Sequence, residues 1–230
     1  MRVGVLLPTF EAGADHALEV AARAAALGID GVFAYDHLWP MGSPERPSLA
    51  PFALLASVAR AHEGLWVGPL VARVGLVGTA HLVEQFLTLE AFAPHRVIGA
   101  LGTGDKLSVA ENDAYGLARR SPDERRAMMA EAARQLTPVM PVWFGAGAPA
   151  TNVLARALGA TVNMWNATTQ EVAAAAAAGP VSWAGPAPED LGATLDALDE
   201  AGASWSVFSP QVDIDDLAKW RRGNELSKFR

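Results

Sequence analysis

The residues best suited to chemistry in this chain fall in three short clusters. The first is Asp36-His37-Leu38-Trp39-Pro40. An imidazole that titrates near neutral pH beside a carboxylate can exchange protons or hydrogen-bond a polar ring, and Trp39 can stack on a flat ligand. An ordinary polar loop would also explain an isolated Asp-His pair, so its weight depends on where the fold puts it. His16, His62, His81 and His95 have no such company and read as structural or solvated.

The second cluster is Gly102-Thr103-Gly104-Asp105, followed by Ser108 and by Glu111-Asn112-Asp113-Ala114-Tyr115-Gly116-Leu117. Two glycines let backbone approach a ligand closely, and Asp105 is expected to project into the same mouth as His37. A tight turn with a surface acid is the plainer alternative. The third cluster is Gly145-Ala146-Gly147-Ala148-Pro149-Ala150, leading into a helix. Free amides at a helix N-terminus bind phosphate where glycines permit close approach. The run matches G-x-G-x-x-A, but a dinucleotide fold places that fingerprint after its first strand, with an acid about 20 residues on at the end of the next. Here the next strand ends in Trp165-Asn166 and several strand–helix units come earlier. An anion site survives that comparison and a Rossmann site does not.

The elements that must position these clusters follow from patterning. Short apolar or β-branched runs mark strands at Val3 to Leu7, Gly31 to Tyr35, Leu65 to Val71, Val97 to Leu101, Pro141 to Phe144, Ala160 to Met164, Val181 to Trp183 and Ser204 to Phe208. Alanine-rich helical patterns lie between them: Asp15 to Leu27, Pro51 to Ala61, Leu82 to Phe92, Pro122 to Leu136, Ala150 to Leu158, Thr169 to Ala178, Pro188 to Ala201 and Asp215 to Arg222. Ser121-Pro122-Asp123-Glu124 supplies a helix start, and Gly28, Gly159 and Gly202 sit where helices should end. This alternation predicts an α/β fold, a TIM (β/α)₈ barrel, as a single domain over residues 1–230, within the fold's range of roughly 200 residues upward. In such a barrel, function belongs on the loops after the strands, where all three clusters fall.

Composition narrows the partners. A hydrophobic fraction of 51% with 19% charged residues is that of a packed globular protein. The net charge of -7 argues against a nucleic-acid partner, since phosphate backbones are held by Lys and Arg. With no cysteine, disulfides, thiolate metal sites, iron–sulfur clusters and a cysteine nucleophile are excluded, and no metal site is assigned. The apolar start is too short for a signal-peptide core and no run approaches the ~20 residues that span a bilayer. A soluble, cytoplasmic protein without a membrane partner is expected.

Taken together, Gly4 to Thr9, Ala26 to Trp39, Arg96 to Asp105, Glu111 to Leu117 and Pro141 to Trp165 resemble the bacterial luciferase-like flavin-dependent oxidoreductases, particularly the branch that uses the deazaflavin coenzyme F420. The resemblance implies a ring lying across the carboxyl mouth of the barrel. It gives Asp36 and His37 contact with that ring, Asp105 a proton-transfer role in a turn where some members carry glutamate, and Asn112 a coenzyme contact. It assigns Gly145, Ala146 and Gly147 to coenzyme phosphate, with Trp39, Gly102 and Gly104 alongside in the coenzyme site and His37 and Asp105 as the catalytic pair. It also implies that the Leu65 to Val71 strand carries a non-proline cis peptide under the ring.

The function so implied is hydride transfer between F420 and a small organic substrate. Two alternatives stay open: an FMN-dependent monooxygenase supplied with reduced flavin by a separate reductase, and a non-catalytic flavin-binding protein. A homodimer and a partner flavin or F420 reductase are expectations of the resemblance alone. One departure matters. Family members usually make a substantial excursion before the fifth strand, whereas here Leu136 reaches Pro141 through Thr137, Pro138, Val139 and Met140 only. A compact member with an open or partner-covered site is expected.

Overall fold

The computed structural model of the chain describes residues 1–40, 42–104, 108–145 and 147–227. Nine strands form one parallel sheet: β1 (Arg2–Leu6), β2 (Gly31–Ala34), β3 (Trp66–Pro69), β4 (Ala72–Arg73), β5 (Gly99–Gly102), β6 (Val142–Gly145), β7 (Thr161–Trp165), β8 (Val181–Gly185) and β9 (Trp205–Phe208). Their order is β3-β2-β1-β9-β8-β7-β6-β5-β4. The helices are α1 (Asp15–Leu27), α2 (Pro51–Ala61), α3 (Thr79–Phe92), α4 (Val109–Ala114), α5 (Pro122–Leu136), α6 (Pro149–Ala157), α7 (Thr169–Ala176), α8 (Leu191–Glu200) and α9 (Ile214–Ser227).

Among the described residues nine strands replace the eight read from sequence, because the Leu65 to Val71 run forms β3 and a further short strand, β4, follows just past its end. β3 pairs with β2, the cis Leu70–Val71 peptide follows, and the chain rejoins the sheet as β4 against β5. A bridge between Val67 of β3 and Val97, just ahead of β5, joins the two sides of the strand order, so the sheet nearly closes into a TIM-type barrel. The helices crossing between parallel strands cover the outer face, as such a sheet requires.

Two apolar layers follow from this closure. Leu6, Phe33, Ile98, Ala100, Trp143, Trp205 and Val207 fill the barrel interior, with Phe33 stacked on Trp143 at 5.6 Å between centroids and edge-on to Trp205 at 5.7 Å. Gly4 makes room for this plug. A Cβ at that position would lie 2.8 Å from Cε2 of Phe33, closer than packing permits. The larger layer lies between strands and helices, where small alanines (Ala17, Ala21, Ala24 of α1) let helix backbone approach the sheet.

Local signals set most boundaries. Gly28 ends α1 at φ 76°, and Ser121 opens α5 with a reciprocal cap: its hydroxyl accepts from Glu124 N at 3.2 Å while Glu124 accepts from Ser121 N at 2.7 Å. Helix α8 starts later than its pattern suggests, at Leu191, because the Asp190 carboxylate accepts from Ala193 N at 2.9 Å and caps it there. The stretch from Glu111 onward, read as part of a loop, begins instead inside α4. Helix α9 is tied back to the start of the barrel. Arg221 clamps Asp30 through two bonds of 2.9 and 2.8 Å, and the same carboxylate accepts from Val3 N at 2.9 Å.

Candidate active site

At the carboxyl end of the strands lies a cleft of about 550 Å³. Of the residues singled out by sequence, Asp36, His37, Gly102, Gly104, Gly145 and Gly147 line it. Asp105 and Ala146 lie outside the described residues. Trp39 is buried, is not among the described lining residues, and packs its indole on Tyr115 at 5.4 Å. Asn112 lines an adjoining cleft of about 220 Å³ that shares Arg73 and Thr103 with the first and also holds Arg119, Arg120 and Arg125.

Asp36 follows β2, and its Oδ2 accepts a hydrogen bond from the backbone N–H of Arg73 at 2.8 Å. Burial pushes its carboxyl above the ordinary aspartate value, with the Arg73 amide and guanidinium pulling the other way. Next to it, the half-buried His37 ring has Nδ1 3.4 Å from Oε2 of Glu111, and the His37 carbonyl accepts from Ser48 Oγ at 2.6 Å. The loop is therefore pinned at both its backbone and its imidazole.

Glu111 is the group that sequence reasoning missed. It is 2% exposed and gathers donors from the Arg73 guanidinium, from Leu38 N, and from Trp39 N at 3.3 Å, besides facing His37. Its partners His37 and Arg73 lie 74 and 38 residues away in the chain, so no local pattern betrays it. Arg73 did carry a signal, being a charge within the apolar run Val71-Ala72-Arg73-Val74. It is 5% exposed, and its Nε and Nη2 have no partner among the described residues.

One part of the cleft is shaped by glycine. A Cβ on Gly102 would lie 2.3 Å from Cγ2 of Val71, and one on Gly145 3.3 Å from the same atom. Val71 thus sits between the ends of β5 and β6 only because both positions lack a side chain. Beyond Gly147, helix α6 begins at Pro149 with no side-chain cap, and the buried Thr151 of its first turn lines the cleft. A glycine-lined slot, a polar edge at Asp36 and His37, and an uncapped helix start together fit a flat ring carrying a phosphate.

Part of the lining is aromatic. Phe10 stacks on Tyr35 at 5.4 Å with planes 9° apart, and Trp165 meets Tyr35 edge-on at 6.3 Å. Burial holds the Tyr35 phenol up at about 12, so it is neutral at physiological pH. Among the described residues no group of histidines and acids is arranged to hold a metal ion, and no helix is long and apolar enough to cross a membrane.

A family model described as luciferase-like monooxygenase matches residues 1–140. Two curated relatives align over the same order of length. An F420-dependent glucose-6-phosphate dehydrogenase of Intrasporangium calvum is 31% identical over 135 residues, covering 57% of this chain and 40% of the relative. An F420-dependent hydroxymycolic acid dehydrogenase of Mycobacterium tuberculosis is 30% identical over 123 residues, covering 53% and 34%. The match therefore spans less than half the length of these relatives. Among solved structures, an F420-dependent secondary alcohol dehydrogenase in complex with an F420-acetone adduct superposes with a TM-score of 0.74 at 16% identity, over 95% of this chain and 97% of the other. The coenzyme F420 dependent tetrahydromethanopterin reductase from Methanopyrus kandleri gives 0.74 at 11% identity, over 95% and 96%. At such identities the structural likeness is one of fold.

Proposed function

This chain belongs to the luciferase-like monooxygenase family, and on that premise we propose that it is an oxidoreductase using coenzyme F420 for hydride transfer to or from a small organic substrate. The observation that carries this reading is the glycine-lined slot beside Val71 with Asp36 and His37 along its edge. Both curated relatives named above, each about 30% identical over the matched stretch, bear F420-dependent names and so favour the deazaflavin over FMN.

A deazaflavin bound there supplies a two-electron hydride donor or acceptor. Asp36 and His37 would hold its polar edge, with Gly102, Gly104 and Val71 lining the slot for the ring. Gly145, Gly147 and the first turn of α6 receive its phosphate, Ala146 completing that stretch by sequence.

The chain's own chemistry is proton management. Hydride arriving at a carbonyl carbon leaves negative charge on oxygen that must be protonated; in the reverse direction an alcohol must lose its O–H proton as hydride departs. Glu111 engages Nδ1 of His37, which leaves Nε2 as the nitrogen available to the cleft for that proton. Hydride transfer in one direction only would consume the coenzyme, so turnover needs a separate reductase or dehydrogenase to restore it.

Fluorescence titration of the purified protein with F420, run beside FMN, tests the reading. Saturable F420 binding with Kd of about 10 μM or tighter is expected. Preferential binding of FMN would move the protein to the flavin-using branch. A His37→Ala variant that keeps full turnover would remove the proposed proton role, and a wild-type protein that binds F420 but turns over no alcohol or ketone would be a carrier.

A further inference from the structure

We infer that the cleft wall formed by Phe10, Tyr35 and Trp165 is a binding site for a planar, uncharged aromatic substrate, with Trp165 setting the preference for the aryl group. The inference rests on the F420 reading for what is done to that substrate, but its binding can be measured independently.

The first support is placement. In strand order β9, β1 and β2 are consecutive and β7 is two strands further. Phe10, Tyr35 and Trp165 come from the ends of β1, β2 and β7, and Pro210 and Gln211 follow β9. The glycine slot belongs to β5 and β6, and β6 pairs directly with β7, so Trp165 stands beside the slot while Phe10 and Tyr35 come from the β1 and β2 side of the mouth. A ligand held by these rings would lie against the slot, with His37 lining the same cleft beside Phe10.

The second support is what the aromatic rings are doing there. Trp165 is 50% exposed, although an indole gains most by full burial, and the half it shows to water lines a concave surface. Large apolar surface left open inside a cleft marks ligand contact. It is also held in place. Trp165 ends a paired strand, and Asn166, in the left-handed region at φ 51° that asparagine tolerates, anchors the chain by donating its backbone N–H to Ala184 O at 2.7 Å. Phe10 and Tyr35 stack on each other and Trp165 meets Tyr35 edge-on, so the indole is the ring whose open surface a flat partner can cover.

The third support is charge. Among the described lining residues the one guanidinium or ammonium is that of Arg73, and it is buried and paired with Glu111. Glu111 already counters the charge of that guanidinium, and Asp36 beside it would oppose a phosphorylated or carboxylated substrate. The neutral Tyr35 hydroxyl, by contrast, can donate to the oxygen of a ketone or alcohol.

The experiment is ligand-observed NMR on the protein with and without F420, using acetophenone, acetone and glucose 6-phosphate as probes. Acetophenone is expected to bind the wild type more tightly than either of the others. Trp165→Ala should weaken it about tenfold, in keeping with the worth of an aromatic contact plus its buried area. Trp165→Phe should restore most of the loss, and it keeps the test valid should the alanine variant fold poorly. The F420 affinity of both variants should stay within about twofold of wild type. Unchanged acetophenone binding in Trp165→Ala, or tighter binding of glucose 6-phosphate than of acetophenone, would overturn the inference. Failure of F420 to bind would instead defeat the coenzyme reading, with the probe affinities of the coenzyme-free protein still deciding the aromatic site.

Discussion

Arg73 serves two carboxylates at once: its backbone N–H donates to Asp36 at 2.8 Å while its guanidinium donates to Glu111, the acid that faces His37. One residue at the break of the third barrel strand thus sets both members of the Asp36-His37 pair. Disturbing any of the four is expected to reach the others.

Asp36→Asn should weaken coenzyme binding while stabilising the fold at neutral pH. Asparagine keeps an oxygen to accept from Arg73 N and removes the buried charge. The folded protein raises the Asp36 value, so its contribution to stability is full below the unfolded aspartate value and is lost as pH rises through the folded one. The variant should match the wild type in acid and exceed it in Tm above that window. A loss of about tenfold in F420 affinity by fluorescence titration is expected. A variant less stable at neutral pH than in acid, relative to wild type, would contradict the desolvation argument.

Removing either member of the Arg73–Glu111 pair strands a buried charge. Glu111→Met or Arg73→Met alone should cost about 3–5 kcal/mol in urea unfolding. The double variant should cost clearly less than the sum, since the unpartnered Nε and Nη2 go with the charge. Additive losses would show that the pair is not coupled.

Tyr35 should remain a neutral phenol until pH approaches 12 in the folded protein. Its raised value means that its stabilising contribution is intact below the unfolded tyrosine value and is lost as pH rises through about 12. Ultraviolet titration of wild type against Tyr35→Phe isolates its tyrosinate band. A Tyr35 band developing near pH 10 in protein that is still folded would be inconsistent with the burial seen.

Gly102→Ala should be poorly tolerated, because the new methyl would lie 2.3 Å from Val71 Cγ2 at the end of a filled barrel. Relief requires Val71 to turn or β5 to shift, at a cost of about 1–3 kcal/mol in denaturant unfolding. Coenzyme affinity should fall with it, since Val71 forms part of the slot. Wild-type stability and affinity in this variant would show that the slot yields easily.

The alternation of strands and helices, the ends of α1 and α5, and the convergence of the Asp36, Gly102 and Gly145 clusters on one mouth could all be read from the residues in order. These were legible because they rest on local chemistry: the period of burial along a helix or strand, a hydroxyl or proline that starts a helix, a glycine that ends one. Only the tertiary structure decided that the third strand breaks at Leu70–Val71, that Trp39 turns onto Tyr115, that Trp165 joins Phe10 and Tyr35 as a wall, and that Glu111 reaches His37 from 74 residues away. Those outcomes depend on which strand ends the closing sheet brings side by side. A buried carboxylate also finds its donors in space, wherever desolvation would otherwise leave it unpaired, and not at any fixed spacing along the chain.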